Sequence, residues 1–310
     1  MIPDDRLRLV FTSCHPALAP EARLALTLRF VAGLSTREVA RLLLVSEPTM
    51  QARLTRAKRK IAGSGIPYRV PRDSELPERL DSALTVVYLL FTEGYLPASG
   101  PRLVRVEVCA EAIRLGRLLH ELLPDEAEAS ALLALMLLQH ARRDARLDEH
   151  GRLLPLADQP RERWHRAEIA EAVALARSAQ RRGGGGPYAL QALIASEHAL
   201  AADADATNWR AIAALYERLE AVRPSPVVRL ARAVAVGEAD GPAAALPLLD
   251  GLDAALARSP QPHAARAELL RRLERRDEAL AAYDRALALA ANDAIRAHLA
   301  ARRESLAAGR

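Results

Sequence analysis

Aromatic side chains are nearly missing from this sequence, with 3 Phe, 2 Trp and 6 Tyr in 310 residues. No window shows sustained alternation of apolar and polar residues. These absences argue against a sandwich or barrel, whose strands draw on aromatic and β-branched residues at period two. Cysteine is equally thin. Cys14 and Cys109 stand far apart and neither sits in a CxxC, and two such thiols fit a reducing cytosol. The opening MIPDDRLRLV lacks the basic-then-apolar order of an export signal. No apolar run reaches the ~18 residues that a membrane span requires, and the most apolar stretch, Ala131 to Leu138, ends against His140, Arg142 and Arg143. The expectation is a cytoplasmic chain with no membrane contact.

Patterns that carry chemistry are missing as well. His15, His120, His140, His150, His165, His198, His263 and His298 are scattered without ligand spacing, so no metal is expected, and His140 with Glu149 and His150 reads as polar surface. The run Gly183 to Pro187, GGGGP, is not followed by the Gly-Lys-Ser/Thr of a phosphate loop and reads as a flexible break. No Ser-His-Asp arrangement is evident, no cofactor is implied, and no enzyme is expected. Glu93 reads either as a helix-contact carboxylate or as a pocket group.

What the chain has in abundance is Ala, Leu and Arg, a mixture that favours helices. The fold class expected is all-α, in two or three domains. Charge is unevenly placed. Residues 1–72 carry a balance of +8, whereas residues 73–310 come to −3. Five basic groups fall between Arg53 and Lys60, and the only lysines of the chain, Lys58 and Lys60, are among them. Such a cluster is either a solvated helix face or the footprint of a nucleic-acid module.

Punctuation divides the chain into residues 1–65, a Gly- and Pro-bearing linker at 66–77, a helical segment at 78–182, and helices alternating with short turns over 187–310. The last part holds a weak repeat. Ala279, Tyr283 and Ala286 share their spacing with Ala244, Leu248 and Gly251, and with Ile212, Tyr216 and Leu219. Small-large-small at this spacing is how the second helix of a tetratricopeptide unit packs, with a period of about 34 residues. An ordinary antiparallel bundle is the alternative.

The segment Gly33 to Ile61 reads as two helices joined by a tight turn. Ser35 followed by Glu38 forms a capping box that starts a helix at Thr36. Val39, Ala40 and Leu43 give that helix an apolar face. Ser46 can cap the next helix, and Pro48 suits its first turn. At 100° per residue, Met50, Leu54, Ala57 and Ile61 fall on one side of the second helix. Thr49, Gln51, Arg53, Thr55, Arg56, Arg59 and Lys60 fall on the others, the layout of a recognition helix in a helix-turn-helix. Arg can pair with guanine and Gln with adenine, while other basic groups hold phosphates.

The stretch LAPEARLALTLRFVAGLSTREVARLLLVSEPTMQARLTRAKRKI resembles region four of sigma-70-type factors. The wider chain is similar to the extracytoplasmic-function subgroup that carries a tetratricopeptide-like extension. Its marks are CHPAL (Cys14 to Leu18), GSGIPYRVP, FTEGY (Phe91 to Tyr95), AEAIRLGRLL (Ala110 to Leu119) and LLALMLL (Leu132 to Leu138). The resemblance implies recognition of the −35 promoter element, docking on the β flap of RNA polymerase core, and a C-terminal part that binds a regulatory protein or ligand. It also exposes three departures. The family's promoter-melting region two has no counterpart here, which gives the expectation of a module that reads DNA without opening it. Leu44 stands at a turn position that is often Gly, where a positive φ would cost roughly 1 kcal/mol. Gln51-Ala52 replaces the usual Ala-Gln, which leaves the role of Gln51 open. A helical scaffold or sensor acting through protein contacts, without DNA, is the other reading of this sequence.

Overall fold

The computed structural model describes residues 5–309, apart from Leu44, Asp73, residues 96–104, Arg152, Leu153 and Asn292. Every regular element in that set is helical, as the composition predicts. The chain forms two compact units. Among the described residues, the first comprises 5–95 and 105–124, and the second comprises 125–309. The sequence-based segment 78–182 is therefore shared between them.

The first unit holds α1 (Asp5–Ser13), α2 (Pro20–Leu26), α3 (Thr36–Leu42), α4 (Glu47–Gly63), α5 (Leu76–Tyr95) and α6 (Val106–Leu122). Its centre is built from Phe11, Leu26, Leu28 and Met50, all essentially without exposure. The Pro- and Gly-bearing segment after α4 is tied to α1. Ile66 is buried, Thr12 donates to the Pro67 carbonyl, and the Tyr68 hydroxyl donates to the Asp5 carbonyl. Further along, Arg69 grips Glu75 with two bonds of 2.7 and 2.8 Å. CHPAL is a turn held by one guanidinium. Arg23 donates to the carbonyls of Leu18 and Pro16 and to the Ser82 hydroxyl on α5.

FTEGY is the crossing point of α5 and α6. A Cβ added at Gly94 would lie 2.8 Å from the backbone N of Cys109 and 2.9 Å from Val108 Cβ, so only glycine lets the two helices approach this closely. Phe91 is buried and stacks on Tyr95 at 5.6 Å, and Glu93 pairs with Arg105 at 3.7 Å. Glu93 is thus a helix-contact carboxylate.

In the second unit, α7 (Ala127–His140) is buried on all sides from Ala129 to Leu138, as expected of a helix apolar around its whole circumference. It packs against α8 (Arg166–Arg181) and α9 (Pro187–Leu200). GGGGP is an ordered turn between these two helices, contrary to the flexible break read from sequence. Gly183 has φ 79°, a Cβ at Gly184 would strike the Ala179 carbonyl, and a Cβ at Gly186 would occupy the Glu128 carboxylate. That carboxylate accepts from the backbone N–H groups of Tyr188 and Ala189 at 2.9 and 3.0 Å, capping α9 where its dipole favours negative charge. His140 is a second correction. It faces the interior, since α7 has no polar side, whereas Glu149 and His150 are exposed.

The remaining helices pack in pairs. α10 (Trp209–Val222) lies on α11 (Pro226–Ala239), and α14 (Gln261–Arg272) lies on α15 (Arg276–Leu289), which also meets α16 (Asp293–Ala307). Between the pairs sit two single-turn helices, α12 (Pro242–Ala245) and α13 (Leu252–Ala255). Two of the three repeat triplets behave as read. Ala279, Tyr283 and Ala286 are buried, as are Ile212 and Leu219. The middle triplet is out by one residue. Ala244 and Gly251 are exposed, and the core residues are Ala245, Leu249 and Leu252. Gly241 and Gly251, both at positive φ, break the segment into short turns and shift its register. The corrected triplet starts 33 residues after Ile212 and 34 before Ala279, closer to the period of the repeat.

Two measurements check this packing. Gly94→Ala should lower stability by about 1–3 kcal/mol in urea titrations, through overpacking, while Gly63→Ala, which meets open space, should not. Burial pushes both His140 and His198 down to about 4. The unfolded chain then binds protons between pH ~6.5 and ~4 that the folded chain refuses, so stability falls as pH falls through that window. Melting followed from about pH 7 to 5 should show this loss, and H140Q/H198Q should flatten it.

Candidate nucleic-acid interface

The helix pair α3–α4 is assembled by short-range hydrogen bonds that its sequence specifies. Ser35 N–H donates to Glu38 Oε2 at 2.7 Å, and Glu38 N–H donates to Ser35 Oγ at 3.2 Å. The capping box is thus complete, and α3 begins at Thr36. Upstream, α2 runs on through a π-helical turn at Thr27–Val31. Gly33 ends it at φ 76°, and Leu34 N–H returns to the Leu28 carbonyl. Ser46 caps α4 by accepting from Thr49 N–H at 3.3 Å. Leu44, where a conformational cost was expected, lies outside the described residues.

Val39, Ala40, Met50, Leu54 and Ala57 are buried, while Leu43 and Ile61 are half-buried at the edges of the same seam. The three buried residues of α4 span an arc of about 60°. That narrow seam fixes which side of α4 faces outward. Gln51, Arg56, Arg59 and Lys60 are exposed. Arg53, on the flank of the seam, is half-buried, as is Thr55.

Side-chain commitments separate the outward residues. The Thr49 hydroxyl lies 2.7 Å from Ser46 Oγ and belongs to the cap. The Thr55 hydroxyl donates to the Gln51 carbonyl of its own helix at 2.8 Å, the usual back-bond of a mid-helix threonine. Lys58 sits 4.8 Å from the centre of the Phe30 ring, a cation–π contact to the π-helical turn, and Arg29 approaches the same ring at 5.4 Å. Lys58 belongs to the basic run read from the sequence, but its aromatic partner is 28 positions away and no local spacing points to it. Outside the seam α4 thus exposes an amide, Gln51, and three cations beside the ring-engaged Lys58: Arg56, Arg59 and Lys60.

Comparison with known proteins places this geometry. Residues 8–61 match the family described as Sigma-70, region 4, and residues 79–180 match a family of unknown function, DUF6596. A protein of Rhizobium meliloti (strain 1021), described as uncharacterized, is 46% identical over 305 residues, which is 98% of this chain and 72% of its own length. The chain belongs to the family of that protein, and sigma-70 region 4 forms its N-terminal part. A crystal structure of a thermophilic TPR protein in Thermus thermophilus aligns with a TM-score of 0.47 at 20% identity, covering 73% of this chain and 97% of that one. Among the described residues, no helix is long and apolar enough to cross a membrane.

The cap is open to test. Ser46→Ala should cost about 1 kcal/mol and should raise amide exchange at Thr49 ahead of the rest of α4.

Proposed function

We propose that this protein is a transcription regulator of the extracytoplasmic-function sigma type, whose first unit reads the −35 promoter element through α4 and docks on the polymerase β flap. The observation that carries this reading is the outward face of α4. Its rotation is fixed by the Met50–Leu54–Ala57 seam, and it exposes Arg56, Arg59 and Lys60 within an arc of about 100°, with exposed Gln51 about 80° beyond Arg59. A helix capped at its start, with an amide in the first turns and cations beyond, suits entry into a major groove. Gln51 and Arg56 are the base-edge candidates, and Arg59 and Lys60 are placed for phosphate. Arg53, at the flank, serves phosphate from the groove wall. Thr49 and Thr55, with their hydroxyls engaged, contribute shape and methyl contact rather than new hydrogen bonds. The second unit supplies a regulatory surface for a protein or ligand.

The scaffold reading also has an observation behind it. An open groove among α13, α14 and α15 is lined by Arg266, Arg275 and Arg285 together with Asp253 and Glu278, a surface suited to charged peptide segments. DNA binding by the whole chain decides between the two readings.

In fluorescence anisotropy with a promoter duplex, affinity should fall steeply with salt, because bound phosphates release counterions. Arg59→Ala should weaken binding to all sequences and reduce the salt slope by about 1. Arg56→Ala should also relax discrimination at one base pair. Unchanged affinity and slope in both variants would remove α4 from the interface.

A further inference from the structure

The second unit contains a cavity of about 230 Å³ that the DNA-reading role does not use. Three helices wall it. α7 and the turn that follows it contribute one face through Leu135, Leu138 and Arg142, α9 contributes another through Ile194 and His198, and Tyr216 of α10 closes a side. The residues from α7 and α9 recur at helical spacing, so both helices turn a continuous stripe toward the space.

The stripe is divided by chemistry. Leu135, Leu138 and Ile194 form an apolar floor, Gln139 and Gln191 add amides to the lining, and Arg142 stands just beyond α7 while His198 lies near the C-terminal end of α9. The Arg142 guanidinium lies 5.9 Å from the Trp164 ring, and its Nη1 lies 3.5 Å from Gln159 Oε1. These contacts orient its planar face. Arg161 stacks on the same indole at 4.5 Å and donates to the carbonyls of His198 and Ala201 at 2.9 Å. His198 meets Trp209 edge-on at 5.1 Å. Burial, with Arg142 and Arg161 close by, pushes His198 down to about 4. Its ring is therefore neutral near pH 7 and adds no further positive charge beside the two arginines. Arg142 supplies the cation of a lining that is otherwise neutral near pH 7.

We infer that this cavity is a binding site for a small carboxylic acid, its carboxylate on Arg142 and its hydrocarbon portion on Leu135, Leu138 and Ile194. A planar guanidinium fork matches a carboxylate in two parallel hydrogen bonds. The volume falls short of the ~300–1,000 Å³ of sites for drug-sized molecules, which limits the ligand to a compact acid. The assignment stands on the geometry of the second unit and is independent of the DNA-reading role.

Both tryptophans of the chain border this site, Trp164 beneath Arg142 and Trp209 against His198. Indole emission of the full chain therefore reports on the cavity. Hexanoate titrated at neutral pH should give a saturable change in emission, and hexanamide, which lacks the charge, should bind roughly tenfold or more weakly. Arg142→Gln should weaken hexanoate by a similar factor and leave hexanamide unaffected. Ala195→Leu, which fills the space from α9, should abolish both while circular dichroism and melting stay as in the parent. The inference is overturned by emission that never saturates, by equal affinity for acid and amide, or by undiminished hexanoate binding in Ala195→Leu.

Discussion

The rotation of α4 about its own axis is the constraint from which the functional face follows. A helix offers one stripe to its neighbours, and here the stripe is narrow: Met50, Leu54 and Ala57 are the fully buried residues of α4. Burying them against the α2–α3 layer fixes the direction of every other side chain on the helix. A wider apolar stripe would tolerate several rotations, and the cations would then have no fixed directions. The small size of Ala40 and Ala57 matters in the same way, since both are buried where helices of this layer meet. Restraint at the start of α4 comes from Ser46, and restraint along its side comes from Lys58 on Phe30.

The features legible in the sequence were those whose cause is local. A capping box spans four residues, a proline in the first helical turn needs no partner, and apolar periodicity reports its own face. Hence α3, α4, the seam and the all-helical class could be read directly. What escaped depends on residues distant in sequence. Lys58 counts as a free cation until Phe30 is placed beneath it. Thr55 looks like an outward donor until its hydroxyl is seen bound to the Gln51 carbonyl, which angle alone does not show. GGGGP looks flexible because flexibility is glycine's usual use. Its reason here is the room it leaves for Glu128, nearly sixty positions earlier. The shifted middle repeat has the same origin. A spacing pattern assumes an unbroken helix, and Gly241 and Gly251 divide that stretch.

Small residues recur at the close approaches. Gly94 lets α5 and α6 cross at FTEGY, and Gly237 of α11 faces Leu269 of α14, where a Cβ would lie 2.7 Å from a side-chain methyl. A chain with so few aromatic groups cannot fill wide interhelical spaces, so it closes them by bringing backbones together. Packing is then sensitive to single added carbons at a few positions and tolerant elsewhere. The two units use this device alike, although one presents a basic helix and the other encloses a cavity.

The pairing of Lys58 with Phe30 has a consequence for chemical modification. Lys58 and Lys60 are the sole carriers of ε-amines in the chain, and both belong to α4. Acylation of side-chain amines, by an enzyme or by a reagent, has no other lysine to reach. Of the two, Lys58 is engaged with an aromatic face and Lys60 projects to solvent. Among side-chain amines, acylation would therefore favour Lys60 over Lys58, marking one known turn of one helix without any engineered residue.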